Sequence, residues 1–185
     1  MKQILLAKRY AKALFELALQ EKVTPRVHSD MLLVADVMAE NRELRRVMTN
    51  PLITASKKNS LMKSLFGNFL SPLSLKFIEI LIRKGREQQL AEIAIQYNKL
   101  YLDFNNIAVV ELVTAYPSDA ALRAKITEIV AKNTDSTLQF KETTDPEIIG
   151  GFKLKIDDYL LDATISKIIS NLHKEFDKNL YIKRY

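Results

Sequence analysis

The sequence predicts an α+β protein that is mostly α: a six-helix bundle over residues 1–105, then a small α+β domain with about three strands over residues 106–185. Three observations carry this prediction. Apolar residues recur at a helical period from Ile4 to Phe104. A convincing strand pattern, β-branched and alternating, appears only after Asn105–Asn106. Charge divides at the same place: residues 1–105 hold 17 Lys and Arg against 10 Asp and Glu, and residues 106–185 hold 11 against 12.

The first helix is predicted from Lys2 to Gln20. Lys8, Arg9, Lys12, Glu16 and Gln20 make its polar stripe, with Lys12 and Glu16 spaced to pair. Ile4, Leu5, Tyr10, Ala11, Leu14, Phe15, Leu17 and Ala18 make an apolar arc wider than one core contact needs. Either the whole arc is buried in its own bundle, or one flank stays open for a partner helix. Ala7, Ala11 and Ala18 allow another helix to approach closely. A second helix begins at Thr24–Pro25, striped by Val27, Met31, Val34, Ala35 and Met38. A short helix covers Glu40 to Met48, and Asn50–Pro51 marks its boundary. The next is expected from Ser56 to Phe69 with Leu61, Leu65 and Phe66 inward. Ser71–Pro72 opens the fifth helix, with Leu75, Ile78, Leu81 and Ile82 apolar, and Gly85 is its C-cap or a kink. A long helix is expected from Glu87 to Phe104.

In the second half, Ile107 to Tyr116 reads as a buried strand. Ser118 is an N-cap candidate for a helix over Asp119 to Lys132, striped by Leu122, Ile126, Ile129 and Val130. Leu138 and Phe140 alternate in a second strand, and Phe152, Leu154 and Ile156 in a third. Gly150–Gly151 before that strand signals a bulge or a close backbone approach. A final amphipathic helix is expected from Leu161 to about Phe176.

Composition excludes several kinds of chemistry. The chain has no Cys, which removes disulfides, thiolate metal sites and a catalytic cysteine. It has two His, His28 and His173, too few for a histidine-rich zinc site. It has four Gly, and Gly150–Gly151 precedes a strand rather than opening a helix, so it is no dinucleotide fingerprint. Asp157, Asp158 and Asp162 read as acids favoured at a helix N-terminus rather than as a metal site. No catalytic, cofactor-binding or metal-binding residue is expected. The N-terminus is broken by Lys8 and Arg9 and reads as a mature helix, not a signal peptide. No apolar run approaches the ~20 residues a membrane span needs. Basic clusters at Arg45–Arg46, Lys57–Lys58 and Arg83–Lys84–Arg86 admit nucleic acid as a partner, and an acidic protein surface equally well.

Three segments are similar to one known family: RYAKALFELA (Arg9 to Ala18), FIEILIRKGREQQLAEIAIQY (Phe77 to Tyr97) and DPEIIGGFKLKIDDYLLDATISKIISNL (Asp145 to Leu172). In the last, the double glycine, alternating strand, acid and final helix fall in family order. The Asn50–Pro51 step also fits. Together they resemble the delta subunit of the F-type ATP synthase, whose mitochondrial relative is the oligomycin-sensitivity-conferring protein. Departures are small: the family tends to serine where Thr164 stands, and often to glycine near Asn105–Asn106.

The resemblance implies a non-catalytic peripheral-stalk subunit, in its bacterial form, at the cytoplasmic face of the inner membrane. It implies that the first and fifth helices form a groove for the N-terminal helix of an alpha subunit, a helix-in-groove mode. The positions that match are Tyr10, Ala13, Leu14, Phe77, Ile78 and Leu81, expected as its apolar floor. The C-terminal domain is then expected to meet the C-terminal ends of the b subunits through Phe152 to Leu172, with Phe152, Leu154, Ile165 and Ile169 as contacts. Neither small-molecule ligand nor bilayer insertion is implied. The alternative function is a basic helical nucleic-acid-binding protein; an enzyme built on the acidic cluster is a third reading.

Overall fold

The computed structural model describes residues 2–115, 123–124, 126–128, 136–146, 148–156 and 159–177. It is mostly helical with a small sheet, and it divides into two compact units, Met1–Asn105 and Asn106–Tyr185.

The first unit runs α1 (Lys2–Gln20), α2 (Thr24–Glu40), α3 (Arg42–Thr49), α4 (Ala55–Phe66), α5 (Pro72–Arg83), a 3-10 turn (Glu87–Gln89) and α6 (Leu90–Phe104). The helix expected from Glu87 therefore starts with a tighter turn and becomes α-helical at Leu90. α6 is the hub and packs mainly on α1 and α2. Ala7, Ala11 and Ala18 are wholly buried, as a close helix approach requires. Val27, Met31 and Val34 of α2 and Ile93 and Tyr97 of α6 fill the same core. Phe15 meets Tyr97 and Phe104 edge to face, at centroid distances of 5.6 and 5.4 Å. Burial is the main effect that raises the Tyr97 phenol's pKa, followed by Tyr101 and Asp30.

α4 corrects one expectation. Phe66 is buried and Leu61 packs against the core, as expected, but Leu65 is 42% exposed: the inward row is Lys58, Met62 and Phe66 at i, i+4, i+8, which leaves Leu65 beside it, and α4 ends at Phe66 rather than Phe69. Lys58 also turns inward, where its Nζ lies 2.6 Å from Glu87 Oε1 and donates to the Met48 carbonyl at 2.9 Å. This buried pair joins the end of α3, the start of α4 and the turn before α6.

The second unit contains β1 (Ile107–Thr114), β2 (Thr137–Thr144), β3 (Gly151–Ile156), β4 (Tyr159–Thr164) and α7 (Ile165–Asp177). The sheet order is β2-β1-β3-β4, with β1 and β2 parallel and the other pairs antiparallel. Val110, Leu112 and Leu154 form its core with Ile126, which lies in the helical residues 126–128. Residues 123–124 of the helix expected over 119–132 are helical as well; its N-cap candidate Ser118 and Leu122, Ile129 and Val130 lie outside the described residues, as do Asp157 and Asp158.

Four strands replace the expected three or so. The fourth overlaps the stretch where the sequence predicts the start of the last helix, which begins at Ile165 and not Leu161. Residues 159–164 have little intrinsic strand character, and pairing decides their state: Leu161 registers with Leu154 and Ala163 with Phe152. The close approach signalled by the double glycine is present. Gly151 has φ +81°, and a Cβ there would lie 2.2 Å from the Ala163 carbonyl oxygen.

Candidate partner-binding surfaces

The face shared by α1 and α5 is built by local capping. Ser71 caps α5 by accepting the Ser74 N–H at 3.3 Å, and Pro72 occupies the first turn. At the other end Gly85, at φ +66°, closes a Schellman motif: Arg86 N–H bonds Leu81 O at 2.9 Å and Gly85 N–H bonds Ile82 O at 3.0 Å. α1 ends the same way, with Val23 N–H on Ala18 O at 2.9 Å, but a lysine, Lys22 at φ +59°, stands at the left-handed position. Asp30 of α2, almost wholly buried, fixes the start of α5: it accepts from Ser71 N–H at 2.9 Å and Ser74 Oγ at 2.7 Å, with Arg26 Nε 3.3 Å away.

These anchors leave a cleft of about 440 Å³ lined by Leu17 and Glu21 of α1 or its end and by Pro72, Leu73, Lys76, Phe77 and Ile80 of α5. Leu73, Phe77 and Ile80 are spaced i, i+4, i+7, one stripe of a helix. Of the six residues expected as a floor, only Phe77 lines the cleft. Leu14, Ile78 and Leu81 are each 1% exposed and belong to the unit's own core. Tyr10 is half-buried, and Ala13 is exposed one turn before Leu17. Leu73 and Ile80 escape sequence reasoning because α5 is apolar on both its inward row and its flank, so periodicity does not say which of the two the core leaves free. The over-wide arc of α1 is the signal that points to Leu17.

A second apolar surface lies on α7. Ile165, Ile168, Ile169 and Leu172 are between 42% and 53% exposed and share one face. Of the four residues expected at the b subunits, Ile165 and Ile169 lie on this outer face. Leu154 is buried and Phe152 half-buried in the sheet's core.

Several polar side chains hold the fold together. Arg45 donates to the Met38 and Ala39 carbonyls at the end of α2, and Lys58 is buried in its ion pair, so two of the basic clusters give up a charge to the fold. His28 stacks on Tyr101 at 3.8 Å and its Nε2 lies 2.7 Å from Asn98 Oδ1. Asp162 sits on β4; hydrogen bonds from the Thr164 side chain and backbone hold its pKa low, with Lys153 and Lys167 adding to the effect. Among the described residues no group of His, Asp or Glu is arranged to hold a metal, and no helix is long and apolar enough to cross a membrane.

The model of the ATP synthase delta (OSCP) subunit family matches residues 6–176. The chain belongs to that family. It is 31% identical over 180 residues to the ATP synthase subunit delta of Cytophaga hutchinsonii, covering 97% of this chain and 98% of that one. It is 34% identical over 167 residues to the ATP synthase subunit delta of Flavobacterium johnsoniae, covering 90% and 94%. A chain in the mitochondrial ATP synthase hexamer of Toxoplasma gondii shares the fold, with a TM-score of 0.69 at 19% identity over 95% of this chain and 99% of that one. As a delta-family protein, this chain is a non-catalytic subunit of the peripheral stalk of the F-type ATP synthase. It links the catalytic head to the membrane sector and resists rotor torque. The reading as a nucleic-acid-binding protein has no support.

Proposed function

We propose that the two units hold two different stalk contacts. Residues 1–105 take the N-terminal helix of an alpha subunit into the α1/α5 cleft, and residues 106–185 take the C-terminal ends of the b subunits on α7. The observation that carries the first assignment is the cleft itself: a pair of helix flanks with Leu17, Leu73, Phe77 and Ile80 facing an open space of about 440 Å³. An amphipathic helix with apolar residues at i, i+3, i+4 and i+7 is the occupant such a cleft suits. The apolar face of α7 supports the second assignment. Bound this way at the cytoplasmic face of a bacterial inner membrane, the protein does no chemistry. It is a tether, and its requirement is slow dissociation under torque, which apolar burial supplies at ~25 cal/mol per Å² before docking costs.

Calorimetric titration of the full chain with a synthetic peptide of the alpha subunit's N-terminal helix, at low and high salt, tests the first assignment. Binding that tolerates salt and weakens at least tenfold in Leu17→Asp, a change at the cleft wall, is expected. Binding that collapses with salt, or that Leu17→Asp leaves unchanged, refutes it.

A further inference from the structure

The second unit has a polar cleft of about 290 Å³ beside α7, lined by Ile148, Lys153, Asp162, Thr164, Ser166, Lys167 and Ser170. Lys153 on β3 registers directly opposite Asp162 on β4. Opposed charges at such a position ordinarily pair. Here Asp162 Oδ1 accepts instead from Thr164, from its N–H at 3.1 Å and its Oγ at 2.8 Å. Thr164 Oγ in turn accepts the Lys167 N–H at 3.2 Å and caps α7, and the Ile165 N–H bonds the Gly150 carbonyl at 3.0 Å. Among the described residues, the Lys153 and Lys167 ammonium groups have neither a hydrogen bond nor an ion pair. Two cations and the Ser166 and Ser170 hydroxyls therefore converge on one space with donors to spare.

We propose that this cleft captures the terminal carboxylate of the chain that docks on α7. The proposal rests on the docking assigned above to the ends of the b subunits. Two features select a carboxylate. Lys153 and Lys167 against Asp162 leave the cleft one positive charge in excess, which suits a monoanion. Ser166 and Ser170 are each one residue on from Ile165 and Ile169, so they occupy the adjoining face of α7. A segment lying on the apolar stripe brings its end into the cleft without leaving the helix surface. The stripe then supplies apolar burial and the cleft supplies the register, through charge-assisted hydrogen bonds.

The test uses the full chain and a peptide spanning the C-terminal end of the b polypeptide, made as the free acid and as the amide. The free acid is expected to bind about tenfold tighter. In Lys153→Met/Lys167→Met its affinity falls to that of the amide, while the amide's is unchanged. Equal affinities of acid and amide for the wild-type chain overturn the cleft but leave the docking intact. Ile169→Asp checks the docking itself and is expected to weaken both peptides. If neither peptide binds, the docking reading fails, and a separate titration with sodium acetate, followed by amide chemical shifts, decides the cleft. Saturable shifts at Ser166, Lys167 and Ser170 that vanish in the double variant support it, and their absence overturns it. Inorganic phosphate binding more than tenfold tighter than acetate would also overturn the carboxylate assignment.

Discussion

Leu17 and Leu14 stand on the same helix, three residues apart, and the structure gives them opposite roles. Leu17 is 40% exposed at the cleft, and Leu14 is 1% exposed in the core. Fully burying a leucine side chain is worth roughly 1.5–3 kcal/mol. A partner helix that covers the exposed 40% of Leu17 thus gains about 0.6–1.2 kcal/mol from it. Leu17→Ala is expected to weaken peptide binding by about 3–8-fold and to leave the unfolding midpoint nearly unchanged. Leu14→Ala leaves a cavity among Ala11, Ala18 and α6, at about 2–5 kcal/mol of stability. Under conditions where that variant stays folded, its peptide affinity should match the wild type. The assay is calorimetry with the alpha-subunit peptide beside urea unfolding followed by far-UV circular dichroism, on the same protein samples. Wild-type affinity in Leu17→Ala together with lost affinity in a still-folded Leu14→Ala would refute this division of roles. That outcome would put the partner on the face now filled by the core.

Three further predictions concern the scaffold. Lys58→Met leaves the buried Glu87 carboxylate without its only charge partner among the described residues, and Glu87 Oε2 already lacks a hydrogen bond, so a loss of about 3–5 kcal/mol is expected. Lys58→Met/Glu87→Leu should recover most of it, and a single-variant loss below about 1 kcal/mol in urea unfolding would contradict the account. Lys22→Gly relieves the left-handed strain after α1 and should stabilise by roughly 0.5–1 kcal/mol, whereas Gly85→Ala, at the equivalent position after α5, should destabilise by about 1 kcal/mol. Opposite signs in paired thermal melts are the observation to look for. Asp162 has its pKa lowered from 3.8 in the folded state, so its contribution is complete above that pH and is lost as pH falls through the folded value. The second unit should therefore lose stability on acidification below about pH 4. Asp162→Asn should flatten that part of the profile, and an unchanged slope would count against the Thr164 hydrogen bonds as its cause.

Much of this protein is legible in its sequence, for reasons that are local. The 3.6-residue spacing of Leu14, Ala18 and their neighbours specifies α1 over its full span, and Ser71–Pro72 with Gly85 bracket α5 through capping geometry alone. The change from helical period to β-branched alternation after Phe104 coincides with the end of α6 and the start of β1. Absence of Cys and scarcity of Gly and His set aside most catalytic chemistry, and the Asp145 to Leu172 run carries the resemblance to the delta family.

Other features depend on contacts between residues far apart in the chain. Residues 159–164 become β4 because β3 lies alongside with free backbone groups, and no local preference announces that. Lys58 reads as one of a pair of surface cations until Glu87, 29 residues away, draws it inside. The cleft is the clearest case. The family resemblance puts Leu14, Ile78 and Leu81 on its floor, and periodicity by itself does not separate these from Leu73, Phe77 and Ile80 on an apolar helix. A binding surface is made of the apolar residues that the core does not use. Which flank is left over depends on where neighbouring helices pack, and only the tertiary structure assigns Leu17, Leu73 and Ile80 to the open side.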